Sequence, residues 1–365
     1  MGTVYITQEY NSFIGKTDER LTVKADQKKL LDIPLIKIDG LVILGQATVS
    51  PAVVHELLER KIPLSFLTAT GRYKGCLQPE LTKNIFVRKA QWLAAGETET
   101  AIHLVRGFVR GKLKNYRNLL MRRRREYPEI NGRHKGCDGA YKGRSKATTT
   151  APWKPTATRP HLDTGINKLE QAIAAIDLTD NIDSLRGLEG AGSAAYFGCF
   201  DRLIKNDSFK FKSRVRRPPT DPVNSLLSLG YSLLRHDLQS AVNIVGFDPY
   251  LGYLHYQRYG RPSLALDLME EFRPLIVDAM VLNALNKGKL TPDNFTSEAI
   301  SNAVSLTKEG LKIFLRLYEQ KKQSKFKHPV LKRQCTYQQA FEIQARFVAK
   351  YLMQETDKYP PLILK

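Results

Sequence analysis

The hydrophobic period of this chain changes near residue 83, and that change limits what it can fold into. Before it, apolar residues come in short β-prone runs; after it, they recur three and four residues apart for most of the chain. In the first part, residues 3–7, 20–24, 33–45 and 63–70 read as strands, with Asp39-Gly40 as a turn inside the third. One helix interrupts them. Ser50 is its N-cap, Pro51 its first residue, and Val53, Val54, Leu57 and Leu58 its apolar stripe. Beyond residue 83, helices are expected over 85–95, 98–125, 166–176, 183–204 and 222–245. Others are expected from Pro262, over 296–321 and over 336–356. Residues 126–164 break this pattern. Rich in Gly, Lys, Arg, Thr and Pro, they cannot bury enough surface to offset their ordering entropy. They read as a flexible basic insertion, serving either as a nucleic-acid contact or as a solvated linker.

A chain of 365 residues suggests two domains, because one core rarely grows beyond roughly 250–300 residues. The expected class is α+β: an N-terminal β-rich domain, 1–82, followed by a larger all-α domain, 83–365, that carries the insertion at 126–164.

Charge narrows the partners. Lys and Arg number 57 against 36 Asp and Glu, a net charge of +21. Such a surplus favours a polyanion, through released counterions, and nucleic acid before a membrane surface. The start lacks a basic and then apolar leader, and Met1-Gly2 begins a myristoylation pattern that is not completed. No apolar run approaches the about 18 residues of a membrane span. Cys76, Cys137, Cys199 and Cys335 are too scattered for zinc or a disulfide framework. A cytoplasmic protein is expected.

Three residues carry the chemistry. Glu189 sits among small residues in GLEGAGSA, where each glycine costs a helix roughly 1 kcal/mol relative to alanine; this conflict points to close packing or a site. His255 ends a loop that leads into an acidic helix. On that helix Asp267, Glu270 and Glu271 stand at i, i+3 and i+4 beside the apolar stripe of Leu264, Leu268 and Phe272. Carboxylates beside a buried stripe need a metal or a cation; Arg261 and Arg273 are the alternative partners. Two carboxylates and one imidazole suit Mn²⁺ or Mg²⁺ and exclude a soft thiolate site. With the charge, this points to metal-dependent phosphodiester chemistry.

Three motifs carry a resemblance. They are GLEGAGSAAYF at 187–197, RRPPTDPVNSLLSLGY at 216–231, and GFDPYLGYLH at 246–255 running on to SLALDLMEEFRP at 263–274. In this order they resemble the CRISPR-associated spacer-acquisition endonuclease and integrase family, Cas-one. The resemblance implies an N-terminal domain that forms a homodimer and a helical catalytic domain. It implies Glu189, His255 and Glu270 as metal ligands, with Asp267 supporting them or contacting a second metal. It further implies a small partner, Cas-two, and insertion of short double-stranded DNA prespacers into a repeat array by attack of a 3′-hydroxyl. Arg216, Arg217 and Asn224 lie in a matched motif and are candidates for DNA phosphate contacts; Arg122 and Arg123 are candidates at a helix end. The insertion is longer than the family leads one to expect. Two further readings stand beside this one: a non-catalytic DNA-binding scaffold of the same fold, and a nuclease for structured DNA or RNA outside CRISPR.

Overall fold

A computed structural model describes residues 2–7, 12–26, 28–69, 71, 73–77, 84–126 and 158–365. The N-terminal part holds β1 (Gly2–Thr7), β2 (Phe13–Thr17), β3 (Arg20–Ala25), β4 (Lys28–Pro34), β5 (Ile38–Leu44), β6 (Thr48–Val49), helix α1 (Pro51–Glu59), β7 (Leu64–Leu67) and β8 (Tyr73–Leu77). They form two four-stranded sheets, ordered β1-β5-β7-β8 and β4-β3-β2-β6. In the first sheet β5 pairs in parallel with both β1 and β7. That placement corrects the expected turn at Asp39-Gly40: both residues lie inside β5. A strand buried on both faces reads as a continuous apolar run. Leu41 and Ile43 join a small core with Ile14, Leu21, Val53 and Leu57. Val42 and Leu44 face the other way and join the main helical core.

Helix α1 begins as read, with Ser50 Oγ accepting from Val53 N at 3.4 Å ahead of Pro51. The helical part comprises α2 (Ile85–Gly96), α3 (Thr98–Arg124), α4 (Thr158–Ala175), α5 (Ile182–Phe197) and α6 (Pro222–Val245). It continues with α7 (Ser263–Arg273) and α8 (Ala279–Asn286). A hairpin of β9 (Phe295–Ser297) and β10 (Val304–Leu306) precedes α9 (Lys308–Gln323). A second hairpin, β11 (Lys325–Lys327) and β12 (Gln334–Thr336), precedes α10 (Tyr337–Leu352). The single helix expected over 296–321 is therefore a hairpin followed by α9. Ile300 is exposed, so no amphipathic stripe begins there, and Thr307 caps α9 by accepting from Gly310 N at 3.1 Å.

Helix α4 starts at Thr158, inside the stretch read as a flexible insertion, and buries Leu162. The rest of that stretch beyond Glu126, Cys137, and the expected boundary at residues 82/83 lie partly or wholly outside the described residues. Helix α3 is the scaffold of this part and packs against α4, α5 and α7. Among the described residues, no helix is long and apolar enough to cross a membrane.

Candidate metal centre

Helix α3 brings a lysine to the place where α5 and α7 meet. Its buried stripe runs Ala101, Leu104, Phe108, Lys112, Tyr116 and Leu120 at close to four-residue spacing, so Lys112 faces inward and is only 5% exposed. Lys112 Nζ pairs with Glu189 Oε1 from α5 and lies 2.6 Å from Glu270 Oε2 on α7. Ser193 Oγ, one turn along α5, donates to Glu189 Oε1 at 2.9 Å. Arg273 Nε lies 3.1 Å from both oxygens of Glu270. Sequence reading missed Lys112, although a lysine at an inward position of an apolar stripe was the signal that could have found it.

His255 arrives on the loop after α6. Gly246 ends that helix with φ 104°, in the left-handed region. Two helices then hold the loop. From α2, Gln91 Nε2 donates to Asp248 O and Leu251 O, both at 2.8 Å; from α5, Arg186 Nε donates to Leu254 O. A side chain at Gly252 would meet Ser263 C at 2.6 Å and Asp267 Oδ2 at 2.7 Å, so only glycine lets the loop cross α7. Fully buried Asp267 gathers the crossing. Its Oδ2 accepts from Tyr253 N at 2.6 Å and Leu254 N at 3.0 Å. Its Oδ1 accepts from His255 N at 2.9 Å and faces His255 Nδ1 at 2.7 Å. His255 Nε2 is thereby turned toward Glu270 Oε1, 3.7 Å away.

Burial alone would raise the Glu270 carboxyl, but Arg273, Lys112 and His255 outweigh it and hold the group at about 2. Burial raises its neighbour Glu271 to about 7, even though that carboxylate accepts from Tyr359, Leu362 N and Gln344. Glu271 is spent on fastening the C-terminal segment to α7.

The donor set fits a hard divalent cation. Glu270 Oε1 lies 3.7 Å from His255 Nε2 and shares Lys112 with Glu189; the imidazole is oriented through its other nitrogen by a carboxylate, and buried Glu270 Oε2 has no well-aligned hydrogen bond. Among the described residues, no group of three His, Cys, Asp or Glu side chains lies close enough together to hold a metal as it stands, and Lys112 pairs with both Glu189 and Glu270.

The phosphate-contact candidates divide. Arg216 and Arg217 are exposed on the loop before α6. Asn224 is a correction. It is fully buried, donates to Ser213 O at 2.8 Å and Asp221 Oδ2 at 2.6 Å, and accepts from Arg214 and Val215 N. Its amide builds the loop and has no face left for DNA. Arg123 is likewise engaged, with Arg202 O at 3.0 Å and Glu126. Arg122, though exposed, donates to Lys365 O at 2.5 Å.

The family described as "CRISPR associated protein Cas1" matches residues 4–151 and 141–320. CRISPR-associated endonuclease Cas1 1 of Chlorobaculum tepidum is 33% identical over 366 residues, covering 100% of this chain and 98% of its own. CRISPR-associated endonuclease Cas1 3 of Thermus thermophilus is 35% identical over 368 residues, with the same coverages. Among solved structures, a casposase bound to integration product has a TM-score of 0.77 at 20% identity, covering 100% of this chain and 95% of that one. A Cas6-RT-Cas1–Cas2 complex has a TM-score of 0.75 at 23% identity, covering 100% of this chain and 36% of that one. At these identities the solved structures speak for the fold.

Proposed function

The chain belongs to the CRISPR-associated Cas1 family, and on that premise we propose a metal-dependent DNA endonuclease and integrase of CRISPR adaptation. The observation that carries the reading is the convergence of Glu189, His255 and Glu270, with His255 oriented by Asp267. These three residues would hold Mn²⁺ or Mg²⁺. A bound ion would supply Lewis-acid stabilisation of charge on a phosphoryl oxygen.

The chain's own groups do the rest. Asp267 fixes the imidazole so that Nε2 faces the site. Arg273 keeps Glu270 ionised and in place. Arg216 and Arg217, exposed on their loop, would bind backbone phosphates without reading sequence. In the proposed strand transfer, the 3′-hydroxyl oxygen of the incoming strand bonds to a repeat phosphorus. The hydroxyl gives up its proton to solvent, the bond from that phosphorus to the repeat's 3′-oxygen breaks, and the leaving oxygen takes up a proton from solvent. With water as nucleophile the same step is cleavage. The substrates are double-stranded prespacer and repeat DNA. The assembly proposed is a homodimer through the N-terminal β part, acting with Cas2; a similar fold solved in a complex with Cas2 supports that partner.

The test is Mn²⁺-dependent transfer of a short 3′-hydroxyl duplex into a repeat-bearing plasmid, with and without Cas2 from the same locus. Wild type is expected to give product and Glu189→Ala none. Equal product from both would overturn the assignment. DNA binding without any Glu189-dependent chemistry would favour a scaffold.

A further inference from the structure

We propose that Lys112 is a built-in counter-ion of the metal centre: its ammonium bridges Glu189 and Glu270 in the metal-free protein and yields those oxygens to the ion. The proposal rests on the reading of Glu189, His255 and Glu270 as metal ligands.

Buried Glu270 loses hydration and half-buried Glu189 adds a like charge beside it, so a nearby cation offsets both. Among the described residues, Arg273 and Lys112 are in direct contact with these carboxylates, with different attachments. Arg273 contacts both oxygens of Glu270 at 3.1 Å, and its guanidinium lies 4.5 Å from the centre of the Tyr231 ring. Its direct contact is with Glu270, and Glu189 acts on it as a weaker, more distant charge. Among the described residues, Lys112 alone reaches Glu189 Oε1 and Glu270 Oε2 together. Those oxygens come from the two helices whose carboxylates a metal would have to join. Lysine and metal therefore compete for one set of acceptors.

The choice of lysine suits such a handover. An ammonium is a compact charge on a stem of rotatable bonds, whereas a guanidinium holds its partner through a rigid fork. Lys112 Nζ is also 5.5 Å from the centre of the Tyr116 ring, an apolar face with a negative quadrupole that can receive it as it withdraws. The ammonium then stays in the site, which keeps positive charge for a phosphodiester. Lys112 is thus a positioning residue. It prearranges the carboxylates, loosens the hold on the metal, and retains charge for the substrate.

Calorimetric titration of Mn²⁺ into the DNA-free protein tests this. Lys112→Gln removes the competitor, and its affinity should rise about tenfold over wild type. Lys112→Arg keeps the charge and should stay within about threefold of wild type. Unchanged affinity in Lys112→Gln, or an equal gain in Lys112→Arg, overturns the proposal. Melting curves serve if Lys112→Gln folds poorly. Its metal-free form should melt below wild type, and saturating Mn²⁺ should raise its Tm by more than it raises that of wild type. Equal rises count against the proposal. Glu189→Gln separates the two readings: if it binds Mn²⁺ as tightly as wild type, the metal site itself has been misplaced.

Discussion

Glu270 and Glu271 are neighbours on α7 and burial raises both, yet their surroundings give opposite results. Glu270 turns toward Arg273, Lys112 and His255, whose charges hold it at about 2; Glu271 turns toward neutral donors and is pushed up to about 7. The signs of their pH dependence follow. A carboxyl lowered in the folded state contributes stability above its ordinary value of 4.5, and that contribution is lost as pH falls toward 2. Glu271 does the reverse, and its contribution is lost as pH rises toward 7. In the metal-free protein, the Tm advantage of wild type over Glu270→Gln should therefore shrink as pH falls from 4.5 toward 2. An advantage constant with pH would show that Glu270 is not held by those cations. Asp267 makes a separate prediction. Asp267→Asn keeps the shape but cannot accept from three backbone N–H groups and His255 alike. Mn²⁺ affinity and strand transfer should fall about 10- to 100-fold, measured by calorimetry and plasmid assay. At this scale the sequence showed the three proposed ligands and Asp267, because carboxylates and a histidine beside apolar stripes are visible in one dimension. It concealed Lys112, whose role depends on α3 meeting α5 and α7 far along the chain, and the burial of Asn224, whose amide is taken up by the 213–221 loop folding back on it.

The glycines of α5 separate a packing requirement from an open surface. A Cβ at Gly192 would fall 2.3 Å from Leu113 Cδ2, whereas one at Gly190 would meet nothing within 4 Å. Gly192→Ala should destabilise the protein, and Gly190→Ala should stabilise it by about 0.5–1 kcal/mol. Urea unfolding of the two variants checks both signs; a stabilising Gly192→Ala would contradict the close α3–α5 contact. Elements with their own caps were legible. Asp221-Pro222 opens α6 as read, with Asp221 accepting from Asn224 N at 2.8 Å. Strands were harder. The Asp39-Gly40 pair resembled a turn because turn chemistry is local, while the parallel neighbours β1 and β7 that keep β5 straight are not. Strands β2 and β4 passed unread because their pattern of burial depends on the sheet around them.

For the whole molecule, the sheets and helices are joined by a buried charge cluster. Fully buried Lys322 on α9 donates to Thr3 Oγ1 at 3.0 Å and lies 3.2 Å from both Asp237 on α6 and Glu319. Glu319 in turn accepts from Thr3 N on β1 at 2.9 Å. Lys322→Met would strand two carboxylates and should cost about 3–5 kcal/mol; a loss under about 1 kcal/mol in urea unfolding would show that the cluster does not couple the two parts. The composition of the chain could announce a polyanion partner and two kinds of structure, but not this weld, which joins residues more than 300 positions apart. The central claim is that Glu189, His255 and Glu270 hold one divalent ion. A crystal grown with Mn²⁺ and measured at the manganese absorption edge tests it most directly. One strong anomalous peak is expected, touching Glu189, His255 Nε2 and Glu270, with Lys112 drawn away. A peak elsewhere, or Lys112 still bridging the carboxylates at saturating Mn²⁺, would contradict it.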